Sequence, residues 1–224
     1  MVDRLKGKRV LITQADDYMG PDFIPIFEEE GATVIADTRD LTVPSAAKEL
    51  IDETGHIDVL IANLAAPAPR ISVENTTDEI WSEMFDKMVH PLHRLVRSCI
   101  PQMKARRSGK IIVMGSATGL KGQPNASQYS AARGAQLAYV KSAGVEVAGD
   151  NVQINVIAQA FVENERYFSK EYQETDHFKE RFRNVPLRRL ATAREDAMLA
   201  IFLASEESNS FVGQAFPFSA GWVV

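Results

Sequence analysis

A chain of 224 residues, 45% hydrophobic and 25% charged, has the make-up of one well-buried globular domain. Its formal net charge of −5, with no basic stripe, argues against a nucleic-acid partner. The one cysteine, Cys99, excludes an intramolecular disulfide framework. No apolar run approaches a membrane span and the opening MVDRLKGKRVLI lacks the apolar stretch of a secretion signal, so a reducing cytoplasm is the expected setting.

The first predicted element is a strand, RVLIT (9–13). Gly20-Pro21 then opens a helix through Glu30 that Gly31 stops. After the strand TVIAD (33–37), Thr42 is expected to cap a helix with Pro44 in its first turn, ending near Gly55. The strand DVLIAN (58–63) follows, and Thr76 with Glu79 forms a capping-box pattern ahead of a long helix to about Arg106. The run KARR (104–107) reads as the solvated end of that helix, where cations suit the dipole. Next come the strand KIIVMG (110–115), a helix over 127–149 and the strand VQINVIA (152–158). A helix over 193–205 and a weaker strand, QAFPFS (214–219), complete the chain.

Strands that are apolar without alternation are buried on both faces, as in a parallel sheet covered by helices. The β-α-β alternation therefore predicts an α/β fold: one Rossmann-like, doubly wound parallel sheet over 1–224, with helices on both faces. Only 20 residues (38–57) separate TVIAD from DVLIAN, room for one helix. The sheet is thus expected to be truncated between its second and following strands. Residues 160–192, rich in aromatics and charges, follow a strand end, where ligands sit in such sheets. They read as a lid or specificity loop, the plainer alternative being a surface helix pair.

The first strand-to-helix turn, TQADDYMG (13–20), lacks what a dinucleotide needs. Glycines there allow the tight turn and the approach of backbone to pyrophosphate, and only Gly20 remains. Gln14 and Tyr18 occupy the other glycine positions, and Asp16 and Asp17 add negative charge where a diphosphate would lie. Asp37, at the end of the second strand, reads as a solvated carboxylate rather than a ribose ligand.

A small polar constellation survives this loss. Ser116 closes the strand KIIVMG, Tyr129 stands thirteen residues on, and Arg133 follows at i+4 on the same helical face. A fixed positive charge beside a phenol favours the phenolate, and arginine stays charged while offering five donors. Tyr129 is thus a candidate general base, Ser116 can hold a substrate oxygen, and no hydride source is evident.

Over nearly its whole length the chain resembles the short-chain dehydrogenase/reductase superfamily, on DVLIANLA, VPLRRLATAREDA and FLASEESNSFVGQAFPFSAGW. Within it, Ser116-Tyr129-Arg133 and the blocked glycine loop resemble the halohydrin dehalogenases. GKRVLIT-ADDYMG, HPLHR (90–94) and RLATARED (189–196) are most similar to their B-type branch. That resemblance implies an enzyme without cofactor. It would convert vicinal haloalcohols to epoxides with release of halide and a proton, and open epoxides with small anions in reverse. By family position the amides of Phe161 and Val162 would bind halide, next to Gln159 and Ala160, with Tyr18 as a wall. Tyr167, Phe168, Ala117 and Thr118 would line the substrate side. The helices 77–106 and 127–149 resemble the superfamily's dimer interface and imply a homotetramer.

Other residues read more plainly. His90 and His93 have a metal-compatible spacing, but Pro91 lies between them and no third ligand is evident, so no metal is expected. His90 falls where the superfamily often has a structural asparagine. Trp81 reads as core or interface, Glu28-Glu29-Glu30 as a solvated helix end, and Trp222 as a subunit contact or an active-site residue. Two rival functions follow from the residues: an NAD(P)-dependent oxidoreductase with a degenerate motif, and a non-catalytic superfamily member.

Overall fold

The computed structural model describes residues 3–224. Its strands are β1 (Arg9–Thr13), β2 (Thr33–Asp37), β3 (Val59–Ala62), β4 (Gly109–Ser116), β5 (Val152–Gln159) and β6 (Ala215–Phe218). They form one parallel sheet in the order β2-β1-β3-β4-β5-β6. Leu11, Leu60, Ile111 and Ile154 lie side by side across four strands, each fully buried.

The helices are α1 (Gly20–Glu29), α2 (Ala46–Thr54), α3 (Asp78–Arg106), α4 (Ser127–Val147), α5 (Glu165–Phe168), α6 (Lys170–Glu174), α7 (Asp176–Phe182) and α8 (Ala193–Ala204). Residues of α2, α3 and α4 build the core on one face of the sheet, among them Leu50, Leu95 and Val140. Phe23 and Phe27 of α1 pack with Ala197 and Ile201 of α8 on the other. This is the doubly wound, helix-covered architecture that the strand pattern predicts. No helix among the described residues is long and apolar enough to cross a membrane.

Several local expectations are corrected. β2 and β6 are apolar but only partly buried, because both are edge strands. With only α2 between β2 and β3, no strand among the described residues pairs with β2's outer side. Thr77, not Thr76, caps α3, accepting from the Ile80 amide at 3.4 Å, while the Thr76 hydroxyl donates back to the Ser72 carbonyl at 3.1 Å. Thr42 does not cap α2, which begins at Ala46 after Ser45 and Pro44. The Asp40 carboxylate takes the Thr42 amide at 2.9 Å and makes a separate turn. Of the two readings of Trp81, core is excluded: it is 44% exposed and stacked on Phe85. The helix-end acids are not simply solvated: Glu30 is buried and accepts from the Arg4 amide, and Glu29 pairs with Arg194 at 2.8 Å.

Residues 160–192 hold three short helices rather than irregular chain. Asn164, Ser169 and Thr175 cap α5, α6 and α7 by accepting from the amides of Tyr167, Tyr172 and Phe178. Phe161, Phe168, Phe178, Val185 and Leu190 give this segment its own core, and its two ends are joined where Val162 bridges to Ala191.

Candidate active site

Ser116 ends β4 at its carboxyl edge, and a 3-10 turn over Ala117–Gly119 brings the chain against α4. That approach demands Gly119, where a Cβ would lie 2.9 Å from both the Arg133 carbonyl carbon and the Gly134 nitrogen. The Ser116 hydroxyl contacts the Thr118 hydroxyl at 2.9 Å and accepts from the Thr118 amide at 3.3 Å.

Tyr129 and Arg133 lie one turn apart on α4. Arg133 is fully buried, and its Nε and Nη1 are hydrogen-bonded while Nη2 has no partner among the described residues. Its Nε donates to the Tyr129 phenol oxygen at 3.1 Å, and its Nη1 to the Met114 carbonyl at 2.9 Å and to Gln136 Oε1 at 3.0 Å. Gln136 is itself fixed by donating to the Met88 carbonyl. Burial opposes the Arg133 charge, but the surrounding Tyr129, Tyr167 and Tyr18 phenols outweigh it and hold the guanidinium above its ordinary range.

A cavity of about 630 Å³ opens at the carboxyl ends of β4 and β5. It brings together Ser116, Thr118 and Tyr129 with Tyr18 and the strand-end residues Gln159, Ala160, Phe161 and Val162. Tyr167 and Phe168 complete that wall. Two expected residues are not on it: Arg133 stands behind Tyr129, and Ala117 is fully buried in the 3-10 turn without bordering the cavity.

Three phenols meet at this site, and their bonds separate their roles. Tyr167 donates to the Ala66 carbonyl at 2.7 Å, and Tyr18 donates to Gln159 Oε1. Burial pushes both phenols well above their ordinary range, so both stay protonated. Only the Tyr129 oxygen receives a bond from Arg133.

The first loop is held shut by side chains. Gln14 and Tyr18 both adopt left-handed backbone, with φ of 45° and 55°, at positions where the nucleotide motif has glycine. Gln14 accepts from the Ala65 amide at 2.6 Å, and Asn63 Nδ2 donates to the Gln14 and Asp17 carbonyls. Gly20 keeps its glycine because a Cβ would meet the Ala15 carbonyl oxygen at 2.5 Å. The Tyr18 ring packs edge-on against Tyr167, with centroids 5.4 Å apart. Asp17 is tied to Arg166 in α5.

Phe161, with φ of 58°, turns the chain out of β5. Its carbonyl accepts from the Ala191 amide at 2.8 Å. The successive amides of Phe161 and Val162 donate to no protein acceptor among the described residues, and both residues are buried at the cavity. Successive free amides at a left-handed residue are the kind of feature from which backbone anion sites are built.

Several site residues escape sequence reasoning. Gln159 Nε2 donates to Asp196 of α8, which is fully buried with one carboxylate oxygen unpartnered. Burial pushes this carboxyl well above its ordinary range. Its signal in the sequence is a lone acid on the apolar face of AREDAMLAIFLA, one turn before Ala200. Arg70, Tyr172 and Arg181 also border the cavity, as does Trp222, for which the sequence left an active-site place as one of two readings. Trp222 packs on Phe161, with centroids 6.0 Å apart, which places it in its own chain's site.

The remaining candidates lie elsewhere. His90 and His93 are exposed on α3, the former 3.7 Å from Asp86 and the latter edge-on to Tyr139. Among the described residues no group of three or more His, Cys, Asp or Glu side chains is placed to hold a metal ion. Asp37, expected to be solvated, is largely buried and pairs with Arg39 at 2.7 Å.

Residues 5–223 match the family described as enoyl-(acyl carrier protein) reductase. The chain is 27% identical to the 3-oxoacyl-[acyl-carrier-protein] reductase of Vibrio harveyi, covering 97% of this chain and 98% of that protein. It is 28% identical to the NAD(+)-dependent 2-dehydro-3-deoxy-L-rhamnonate dehydrogenase of a Sphingomonas species, covering 80% and 71%. A solved structure described as a dehalogenation enzyme superposes with a TM-score of 0.89 at 27% identity, covering 98% of this chain and 100% of its own. A halohydrin dehalogenase bound to ethyl (2S)-oxiran-2-ylacetate superposes at 0.87 with 23% identity, covering 97% and 98%, a likeness of fold.

Proposed function

The chain belongs to the short-chain dehydrogenase/reductase superfamily, and within it we propose that it acts as a cofactor-independent halohydrin dehalogenase, a carbon–halide lyase. The observation that carries this reading is the pairing of two features across one cavity. On one side is a phenol oxygen receiving a bond from a buried guanidinium, and on the other a pair of unengaged amides.

In this mechanism Ser116 holds the substrate hydroxyl oxygen and Tyr129, as phenolate, takes its proton. The alkoxide attacks the adjacent carbon from the face opposite the halogen. A carbon–oxygen bond forms, the carbon–halogen bond breaks with its electron pair, and an epoxide and a halide ion result. Arg133 offsets the charge on Tyr129, which later passes its proton to solvent. The halide leaves toward the amides of Phe161 and Val162, with the protonated Tyr18 as a wall and 160–192 as the substrate and halide loop region. Nucleophile and electrophile belong to one molecule, so holding it in the attack geometry supplies much of the acceleration. Small anions entering by the same route open epoxides in reverse.

The superfamily implies a nicotinamide dinucleotide, and the residues here do not fit one. Side chains stand at Gln14 and Tyr18 where backbone must approach a diphosphate, and Asp17 with its Arg166 partner crosses the loop. Tyr18 reaches across to Gln159 in that space. No step is therefore routed through a nucleotide. The reductase relatives favour the second reading, an oxidoreductase with a degenerate motif. One experiment separates the two: titrating the enzyme with NAD(P)H during turnover of a haloalcohol. Turnover that is indifferent to nucleotide supports the lyase. Saturable nucleotide binding with hydride transfer to a carbonyl substrate overturns it. The same resemblance leads us to propose a homotetramer, to be checked by light scattering.

A further inference from the structure

The cavity carries charge that the elimination does not use. Among the described residues no carboxylate borders it, although the chain has 30 acidic residues against 25 lysines and arginines. Three arginines do: Arg70, Arg166 and Arg181. Arg166 is neutralised by Asp17. Neither Arg70 nor Arg181 forms an ion pair among the described residues. Arg70 donates one bond to the Pro124 carbonyl at 3.3 Å, and Arg181 one to the Tyr172 phenol at 3.5 Å. Arg181 Nε is buried with no partner, and its guanidinium lies 5.4 Å from the Phe161 ring centre. Arg70 is exposed at the cavity rim, where partial burial first and the charge of Arg181 second hold it below its ordinary range.

An anion entering the cavity would meet two guanidiniums with no acid to balance them, one of them, Arg181, partly buried. A guanidinium fork matches two coplanar oxygens, whereas a spherical halide uses only its charge. We propose that the substrate is a vicinal haloalcohol or epoxide that carries a carboxylate, received by Arg181 and Arg70 while its other end faces Ser116 and Tyr129. The haloalcohol half of this proposal rests on the dehalogenase reading. The carboxylate half rests on the arginines alone. They are specificity residues: they select the substrate and take no part in the proton transfer.

The test compares an acid with its amide, in binding and in turnover. Calorimetry with unreactive 3-hydroxybutanoate and 3-hydroxybutanamide at fixed ionic strength reads the carboxylate preference without chemistry. Release of chloride from 4-chloro-3-hydroxybutanoate and from its amide reads KM. Tighter binding of the acid by about tenfold is expected, with a KM lower by a similar factor, as for hydrogen bonds to a charged group. The variants Arg181→Gln and Arg70→Gln should each erode the preference, and the double variant abolish it, the acid losing affinity by a larger factor than the amide. A wild type that binds acid and amide equally overturns the proposal. So does a double variant that weakens both ligands alike. If the acid is preferred but neither compound releases chloride, the arginine site stands and the dehalogenase reading falls. If both release chloride with no preference, the dehalogenase reading stands and the arginine site falls.

Discussion

Arg133 Nε donates to the Tyr129 phenol oxygen at 3.1 Å from a position with no solvent exposure, and the same guanidinium grips the Met114 carbonyl of β4. The arginine therefore ties the base to the strand that delivers Ser116. Replacing Tyr129 by Phe should leave the melting temperature within a few degrees and lower kcat for halide release by about 10²–10⁴, the usual worth of a positioned base. Arg133→Lys offers a point charge in place of a fork. Gln136 and Met114 would lose donors, and stability should fall by about 1–3 kcal/mol. Its kcat should drop with little change in KM, which steady-state kinetics and thermal unfolding together will read.

Tyr18 lets the wall of the proposed halide site be tested separately from its hydroxyl. Tyr18→Phe keeps the ring against Tyr167 and removes the bond to Gln159, so bromide inhibition should change little while stability falls by about 1 kcal/mol. Tyr18→Ala opens the wall as well, and should weaken bromide inhibition and cost about 3–5 kcal/mol, as for other buried aromatics. Inhibition constants for bromide in the two variants, beside their melting temperatures, check this.

Asp196 gives a pH signature. Burial raises its folded-state value above the unfolded one near 3.8. The stability it confers is then complete below that unfolded value, and is lost as pH rises toward the raised one. Asp196→Asn removes this titration while keeping an acceptor for Gln159. The variant should approach the wild type in melting temperature near pH 4 and surpass it increasingly from pH 5 to 8. A constant gap across that range would show that Asp196 does not titrate as burial requires.

Gly119→Ala tests the seam between β4 and α4. The added methyl meets backbone of Arg133 and Gly134 at 2.9 Å, and backbone has little room to give. A loss of about 1–3 kcal/mol is expected, with a lower kcat, since Ser116 and Tyr129 would be pushed apart. Gly122→Ala, where nothing lies within 4 Å of the new Cβ, serves as the neutral control.

The sheet was legible because buried strands are rich in apolar residues: KIIVMG lies within β4, and VQINVIA, although Gln153 and Asn155 interrupt it, lies within β5. The edges were less so: TVIAD is as apolar as RVLIT, and only the strand order shows that β2 has one neighbour. Helix starts depend on which of two adjacent polar residues takes the amide, and Thr76 and Thr77 are alike in sequence. At the site, the spacing of Ser116, Tyr129 and Arg133 maps onto one strand end and one helical turn, which periodicity encodes. Arg70, Arg181 and Trp222 come from three separated segments, and no local pattern announces that they share a cavity. Ala117 was misplaced because one position in a 3-10 turn decides between wall and core.

The most direct test of cofactor-free elimination follows chloride, epoxide and proton together when purified, nucleotide-free protein meets 1,3-dichloro-2-propanol in a pH-stat. The mechanism predicts all three in equal amounts from the wild type, and loss of all three in Tyr129→Phe with its fold intact. Failure of the wild type to release chloride or form epoxide, or Tyr129→Phe turning over at the wild-type rate, would contradict it.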